Sequence, residues 1–385
     1  MKSTLVILTH VVHRAVCEGF LPAALELGYR PIIITDQGAA HECALPSIEI
    51  LECDVFNPIA VIDLLTEHGI SPAAVFSNSD HLQTSTALVA QAMGAPAKPW
   101  LTCYNAKNKQ RMREQLARLG LPSIWHTTLS SGQAIGTDWP YPVVVKPVQG
   151  VASMNVCRLE TASALREYVS TLPPGQTVLV EACMEGPLVT LETLGDSKNL
   201  HLVGGFDVDL SEPPHFVEMA ARWNGPMTSR WRQEMLATIR AFGVSMGACH
   251  SEFIVTEQGP VLVEINYRSI GDNREFLLDR LVSQGWFKSI LQCHLGETLP
   301  TPSLLPMHAK IQYLVASQAG RLVDAPKPEN LRHVDYHALK QLGDHIQISH
   351  SNKDYLGVFT AVGSSEEDML KKHKQALAQS QWRIV

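Results

Sequence analysis

Much that would settle a function at sight is missing from this 385-residue chain. Its eight cysteines, at positions 17, 43, 53, 103, 157, 183, 249 and 293, form no C-x-x-C pair, so neither a zinc ribbon nor a dithiol redox motif is present. Scattered in mostly apolar surroundings, they read as free thiols of a reducing compartment. His10 and His13 lack the spacing of a zinc site. No G-x-G-x-x-G follows the first strand signal, which excludes the dinucleotide fingerprint. No run approaches the roughly 20 apolar residues needed to span a bilayer. The opening Met1-Lys2-Ser3, then Leu5 to Leu8, is too short for the core of a secretory signal. Charged residues are sparse at 18%, and a net charge of −7 offers no long-range attraction to nucleic acid or anionic lipid. No Ser-His-Asp or Cys-His arrangement stands out, nor any low-complexity tract or solenoid repeat. The expectation is a cytoplasmic protein with neither nucleic-acid nor membrane partners.

The apolar content of 45% and the length allow two or three domains with substantial cores. Residues 1–97 alternate strand signals (4–9, 31–35, 48–53, 73–76) with helix signals (14–27, 58–68, 82–93), which predicts a parallel sheet covered on both faces. The polar strand ends, Thr9-His10 and Ser77-Asn78-Ser79-Asp80, lie where open α/β sheets take ligands, although Ser79 and Asp80 suit helix capping better. A basic helix follows over 105–119, stopped by Gly120 and Pro122, and its Lys and Arg read as a solvated face. The strand in 141–150 carries Lys146 inside an apolar run, where a lysine is expensive to bury unless its charge meets an anion. Residues 149–155 form a loop of small side chains able to lie against a ligand.

Further on, the pattern predicts a helix at 161–170, strands at 177–181 and 189–194, and a hairpin partner for the latter at 202–208. Residues 209–227, punctuated by proline and glycine and carrying His215, Glu218, Arg222 and Trp223, read as a long loop fit to hold a substrate. Helices are expected at 229–242, 274–284 and 286–294. An α+β tail from about 300 has strands at 309–315 and 321–324, a hairpin of 345–349 with 356–362, and a helix over 365–378 opened by the capping pair Ser365 and Asp368.

The most informative stretch is His250 to Arg268, two strand signals at 250–255 and 261–267 around a turn at 257–260. With position 258 central, Val255 faces Val261 and Phe253 faces Val263 on an apolar side. On the other side His250 faces Asn266 and Glu252 faces Glu264. Opposed carboxylates repel unless a hard divalent cation lies between them, and an asparagine carbonyl is a further ligand of the right type. A solvent-facing hairpin in another register is the alternative.

Taken in order, four stretches resemble the ATP-grasp superfamily, and within it the carboxylate–amine (amino-acid) ligases. They are N-K-Q-R-M-R at 108–113 with G-L-P at 120–122, Y-P-V-V-V-K-P-V-x-G at 141–150, V-L-V-E-A-C-M-E-G-P at 178–187, and S-E-F-I-V with V-E-I-N-Y-R at 251–268. The resemblance implies an ATP-grasp fold of mixed α/β and α+β class. Its expected parts are an N-terminal parallel α/β (pre-ATP-grasp) domain (1–104), a small lid portion (105–185), a large catalytic portion (186–299) and a C-terminal antiparallel α+β subdomain (300–385). It implies ATP and Mg2+ as cofactors, with Mn2+ as a substitute. Lys109, Lys146 and Ser153 would meet phosphate, and Glu181, Ala182 and Met184 adenine. Glu252, Glu264 and Asn266 would hold the metal. Arg268 and Lys146 would be the catalytic cations, with Glu218, Arg222, His250, Asp272 and Asn273 as substrate candidates. The implied reaction activates a small-molecule carboxylate as an acyl phosphate and passes it to an amine, in natural-product or siderophore assembly, and a homodimer is the expected assembly. A biotin-carboxylase-like carboxylase and a non-catalytic nucleotide-binding regulator are the alternatives. Two departures stand out: only one glycine in the loop after Lys146, and Leu188 where the family often has a ribose-binding Glu.

Overall fold

The computed structural model describes residues 3–136, 138–148, 156–213 and 215–385. Near the N-terminus four strands, β1 (Thr4–Leu8), β2 (Arg30–Thr35), β3 (Glu49–Glu52) and β4 (Pro72–Phe76), form a parallel sheet in the order β3-β2-β1-β4. β1 is buried throughout, as a strand covered on both faces must be. Val6, Leu8, Ile32 and Ile34 pack against Val61, Leu65 and Val89 on one side, and Leu5, Ile7 and Ile33 join Phe20 and Phe287 on the other.

A second sheet contains β5 (His126–Ser130), β6 (Val143–Pro147), β7 (Cys157–Leu159) and β8 (Thr177–Ala182), antiparallel in the order β5-β8-β6-β7. Val143, Val145, Val178 and Val180 point to one face and pack on Leu165 and Val169 of helix Ala162–Ser170. Alternation therefore puts Lys146 and Glu181 together on the opposite face.

The third sheet has nine strands. These are β9 (Leu188–Asp196), β10 (Leu200–Gly204), β11 (Phe206–Leu210), β12 (Glu218–Trp223), β13 (Met246–Thr256), β14 (Gly259–Asn266), β15 (His308–Leu314), β17 (Asp335–Ala338) and β19 (Gly357–Gly363). They run β14-β13-β9-β11-β12-β15-β19-β17, with β10 also on β9. Short strands β16 (Gly320–Asp324), β18 (His345–Ile346) and β20 (Arg383–Ile384) make a small sheet beside it.

Several expectations are corrected. The basic segment 105–119 is two helices, Trp100–Lys107 and Lys109–Arg118. They part at Asn108, whose extended backbone (φ −98°, ψ 110°) breaks the first and whose Oδ1 accepts from Arg111 N at 3.1 Å to cap the second. The run 202–208 is split between β10 and β11. At the break Gly205 lies so close to Thr190 O that a Cβ there would sit 2.0 Å from it. The expected substrate loop 209–227 is mostly regular: β11 and β12 form a hairpin, and helix Pro226–Phe242 starts at once, its N-terminal amides of Met227 and Thr228 capped by Asp207. In the tail, β18 pairs with β16 rather than with β19, which lies between β15 and β17. None of the eight cysteines is in a disulfide.

Candidate active site

Strands β13 and β14 form the hairpin expected around Gln258, but their register changes partway. The turn is the two residues Glu257 and Gln258, so Thr256 pairs with Gly259 and Val255 with Pro260, not Val261. Continued unbroken, that register would set Glu252 opposite Val263 and turn Glu264 to the far face, since a one-residue slip flips every side chain. A bulge between Glu252 and Phe253 on one strand, and Leu262 to Glu264 on the other, absorbs one residue. Beyond it Glu252 faces Glu264 and His250 faces Asn266.

On the other side of β13, His250 pairs with Glu192 and Glu252 with Thr190. Six polar side chains from three adjacent strands thus share one sheet face. His250 is buried, its Nδ1 2.8 Å from Glu192 Oε1 and its Nε2 3.4 Å from Glu252 Oε1. Burial alone would lower its pKa, yet the two carboxylates outweigh it and hold it at about 10. Burial would likewise raise Glu252, while His250, Lys109 and Lys146 keep it below the usual carboxylate range. Two carboxylates and an amide oxygen on one face suit magnesium, which takes few protein ligands and leaves positions for phosphate. No ready-made group of three or more His, Cys, Asp or Glu for a metal occurs among the described residues.

Two lysines arrive from earlier in the chain. Lys109, first residue of its helix, donates to Glu264 Oε1 at 2.8 Å. Lys146 lies 2.6 Å from Glu181 Oε2, and the other oxygen of Glu181 accepts from Arg113 Nε at 2.6 Å. Burial would raise Glu181, but its cations draw it down to about 2. Arg268 stands at the end of β14 with Nη1 2.8 Å from Ser269 O, and its charge helps hold the buried carboxyl of Asp80 below its ordinary range. Asp80 is not a helix cap. It pairs with Lys107 and so ties the parallel sheet to this cleft.

No family profile matches the chain. An uncharacterized protein, y4rH, of Sinorhizobium fredii is 25% identical over 322 residues, 79% of this chain and 66% of its own. Dapdiamide A synthase of Enterobacter agglomerans is 22% identical over 258 residues, 59% of each chain. The chain thus spans at most about two thirds of the length of these curated relatives. Among solved structures, the L-amino acid ligase from Bacillus licheniformis superposes with a TM-score of 0.81 at 19% identity, covering 100% of both chains. This is the ATP-grasp fold.

In the ATP-grasp frame the expected residues do not all come together. Lys109, Glu252, Glu264, Asn266 and His250 are joined by ion pairs and strand register, and Lys146 is paired with Glu181 on β8. Ala182 and Met184 follow Glu181 and are half-buried, Ala182 N being taken by Trp125 O at 3.0 Å. Ser153 lies outside the described residues. Glu218 is held by Arg274 and by Asn352, whose Nδ2 is 3.2 Å from its Oε1, in a buried network. Arg222 is turned to Glu366 at 2.8 Å, on the helix Glu366–Gln379. Trp223 packs on Phe206 in the core. Asp272 and Asn273 both have positive φ, and Asn273 Oδ1 accepts from Arg14 at 2.7 Å. Asn273 is the N-cap residue of helix Arg274–Leu281, and its side chain makes no capping hydrogen bond there.

Sequence reasoning missed Arg113, Glu192 and Lys107 as parts of the site. For Arg113 a signal existed: positions 109, 112, 113 and 116 are the buried stripe of an amphipathic helix, and Met112 and Leu116 mark it. The count of basic residues obscured that spacing.

Proposed function

We propose that the chain is an ATP- and magnesium-dependent ligase that activates a small-molecule carboxylate as an acyl phosphate and couples it to an amine, releasing ADP and phosphate. The observation that supports this reading is the pair Glu252 and Glu264, directly opposed and reached by Lys109 from another element. Such a pair is tolerated where a divalent cation and polyphosphate take its charge. Magnesium would be held by Glu252, Glu264 and Asn266, and when bound it neutralises charge on the transferring phosphate. The chain's own task is positioning. Lys109 and Lys146 would balance nucleotide phosphates, and Arg268, with its planar fork, would bind the activated group bidentately. Ala182 and Met184 would offer backbone groups to adenine, and Asp272, Asn273 and His250 would border the acid and amine. The relatives' activities lend the amino-acid class its support. A cytoplasmic location belongs to the same reading.

The test is ADP release with a panel of amino acids and carboxylic acids, with and without magnesium. ADP release that requires an amine and yields an amide supports it. Dependence on bicarbonate alone would make the chain a carboxylase, and nucleotide binding with no turnover under any pairing would make it a regulator.

A further inference from the structure

The bulge that brings Glu264 face to face with Glu252 has its own support. Among the described residues β14 is an edge strand, with no neighbouring strand there for the carbonyls on its outer side to accept from. At the bulge, Leu262 O and Val263 O are taken by one side chain: Arg113 Nη1 lies 2.5 Å from the first and Nη2 2.9 Å from the second. The same guanidinium gives its Nε to Glu181 on β8. Arg113 is wholly buried and sits one helical turn after Lys109, which holds Glu264 itself. One planar fork thus joins three things: the helix of the first lysine, the carboxylate on which the second lysine rests, and the irregularity that decides which way Glu264 points.

We propose that Arg113 is a positioning residue for the metal and nucleotide: it locks the β14 bulge so that Glu264 and Asn266 share a face with Glu252, and it remains as the fixed partner of Glu181 when Lys146 turns to phosphate. The proposal rests on the ligase reading above. Lysine cannot replace it, because a single ammonium cannot span a carboxylate and two carbonyls in one plane. Without the fork, the hairpin is free to relax toward the register dictated by its two-residue turn, which separates the acidic pair. Of its two cations among the described residues, Glu181 would then keep Lys146.

The experiment compares wild type, Arg113→Lys and the charge-neutral double variant Arg113→Met/Glu181→Gln with Glu181→Gln alone, well below each melting temperature. Calorimetry with Mn2+ plus ADP reads binding without turnover, and ADP release reads the magnesium concentration for half-maximal rate. For Arg113→Lys the expected result is binding weaker by about tenfold or more, with a matching rise in the magnesium requirement, since groups that orient metal ligands carry effects of that size. The double variant should bind correspondingly weaker than Glu181→Gln, which keeps the proposal testable where Arg113→Lys does not fold. A purely structural role would lower the melting temperature and leave both readouts unchanged, and such a result overturns the proposal while the ligase reading stands. Wild type that binds no metal–nucleotide at all would remove both.

Discussion

Lys109 and Glu264 are 155 positions apart in the chain, yet they meet at 2.8 Å, with the lysine ammonium against a carboxylate that the bulge in β14 has turned toward Glu252. Acid and base therefore neutralise each other across the cleft, and a bound cation and polyphosphate would exchange these partners for their own.

Replacing Glu264 with Gln keeps the side chain's shape and removes its charge. Turnover is expected to drop by about 10²-fold or more with circular dichroism unchanged. ADP release near the wild-type rate would contradict the role assigned to it.

Acid should weaken the fold partly through Glu181. Its folded pKa, about 2, lies below the unfolded carboxylate value, so its contribution is present above about pH 4.5 and is lost as pH falls toward 2. In urea titrations from pH 7 to 2, the stability gap between wild type and Glu181→Gln should stay level down to that point and then close. A gap that widens in acid would reverse the assignment.

Glu275 shows the opposite sign. It is buried, its Oε2 has no hydrogen-bond partner among the described residues, and burial pushes its pKa up to about 7. The folded state then holds a proton that the unfolded chain has released, so stability should fall as pH rises from about 4.5 to 7. Glu275→Gln is predicted to be more stable than wild type at pH 8, by on the order of 1–2 kcal/mol, and to show no such gain at pH 4. Equal melting temperatures at both values would refute this.

The helix that presents Lys109 begins at Asn108, whose side chain satisfies Arg111 N. Asn108→Ala should cost about 1 kcal/mol in chemical denaturation and loosen the lysine's approach. An unchanged denaturation midpoint would show that the cap carries no energy there.

The pattern of residues along the chain was enough for much of this. Apolar strands alternating with helices over the first hundred residues specify the parallel sheet, because a strand buried on both faces must be apolar throughout. Period-two alternation likewise puts His250 with Glu252 on one face of β13 and Glu264 with Asn266 on one face of β14, and Thr161 and Ser365 announce helix starts through the amides of Ala164 and Asp368. These are local regularities, set by backbone geometry within a few residues.

The partners of the charged groups were decided elsewhere. Glu218 and Arg222 read as substrate candidates from the sequence, and only the fold shows that Arg274 and Glu366, far along the chain, are their partners. Arg113 looks like one more surface cation until β8 and the edge of β14 close over it. A carboxylate or guanidinium is compatible with water or with a buried counter-charge, and only the three-dimensional approach of distant elements determines which one it meets. The bulge in β14 is of the same kind: a single unpaired residue, invisible to periodicity, that tertiary contacts hold in place.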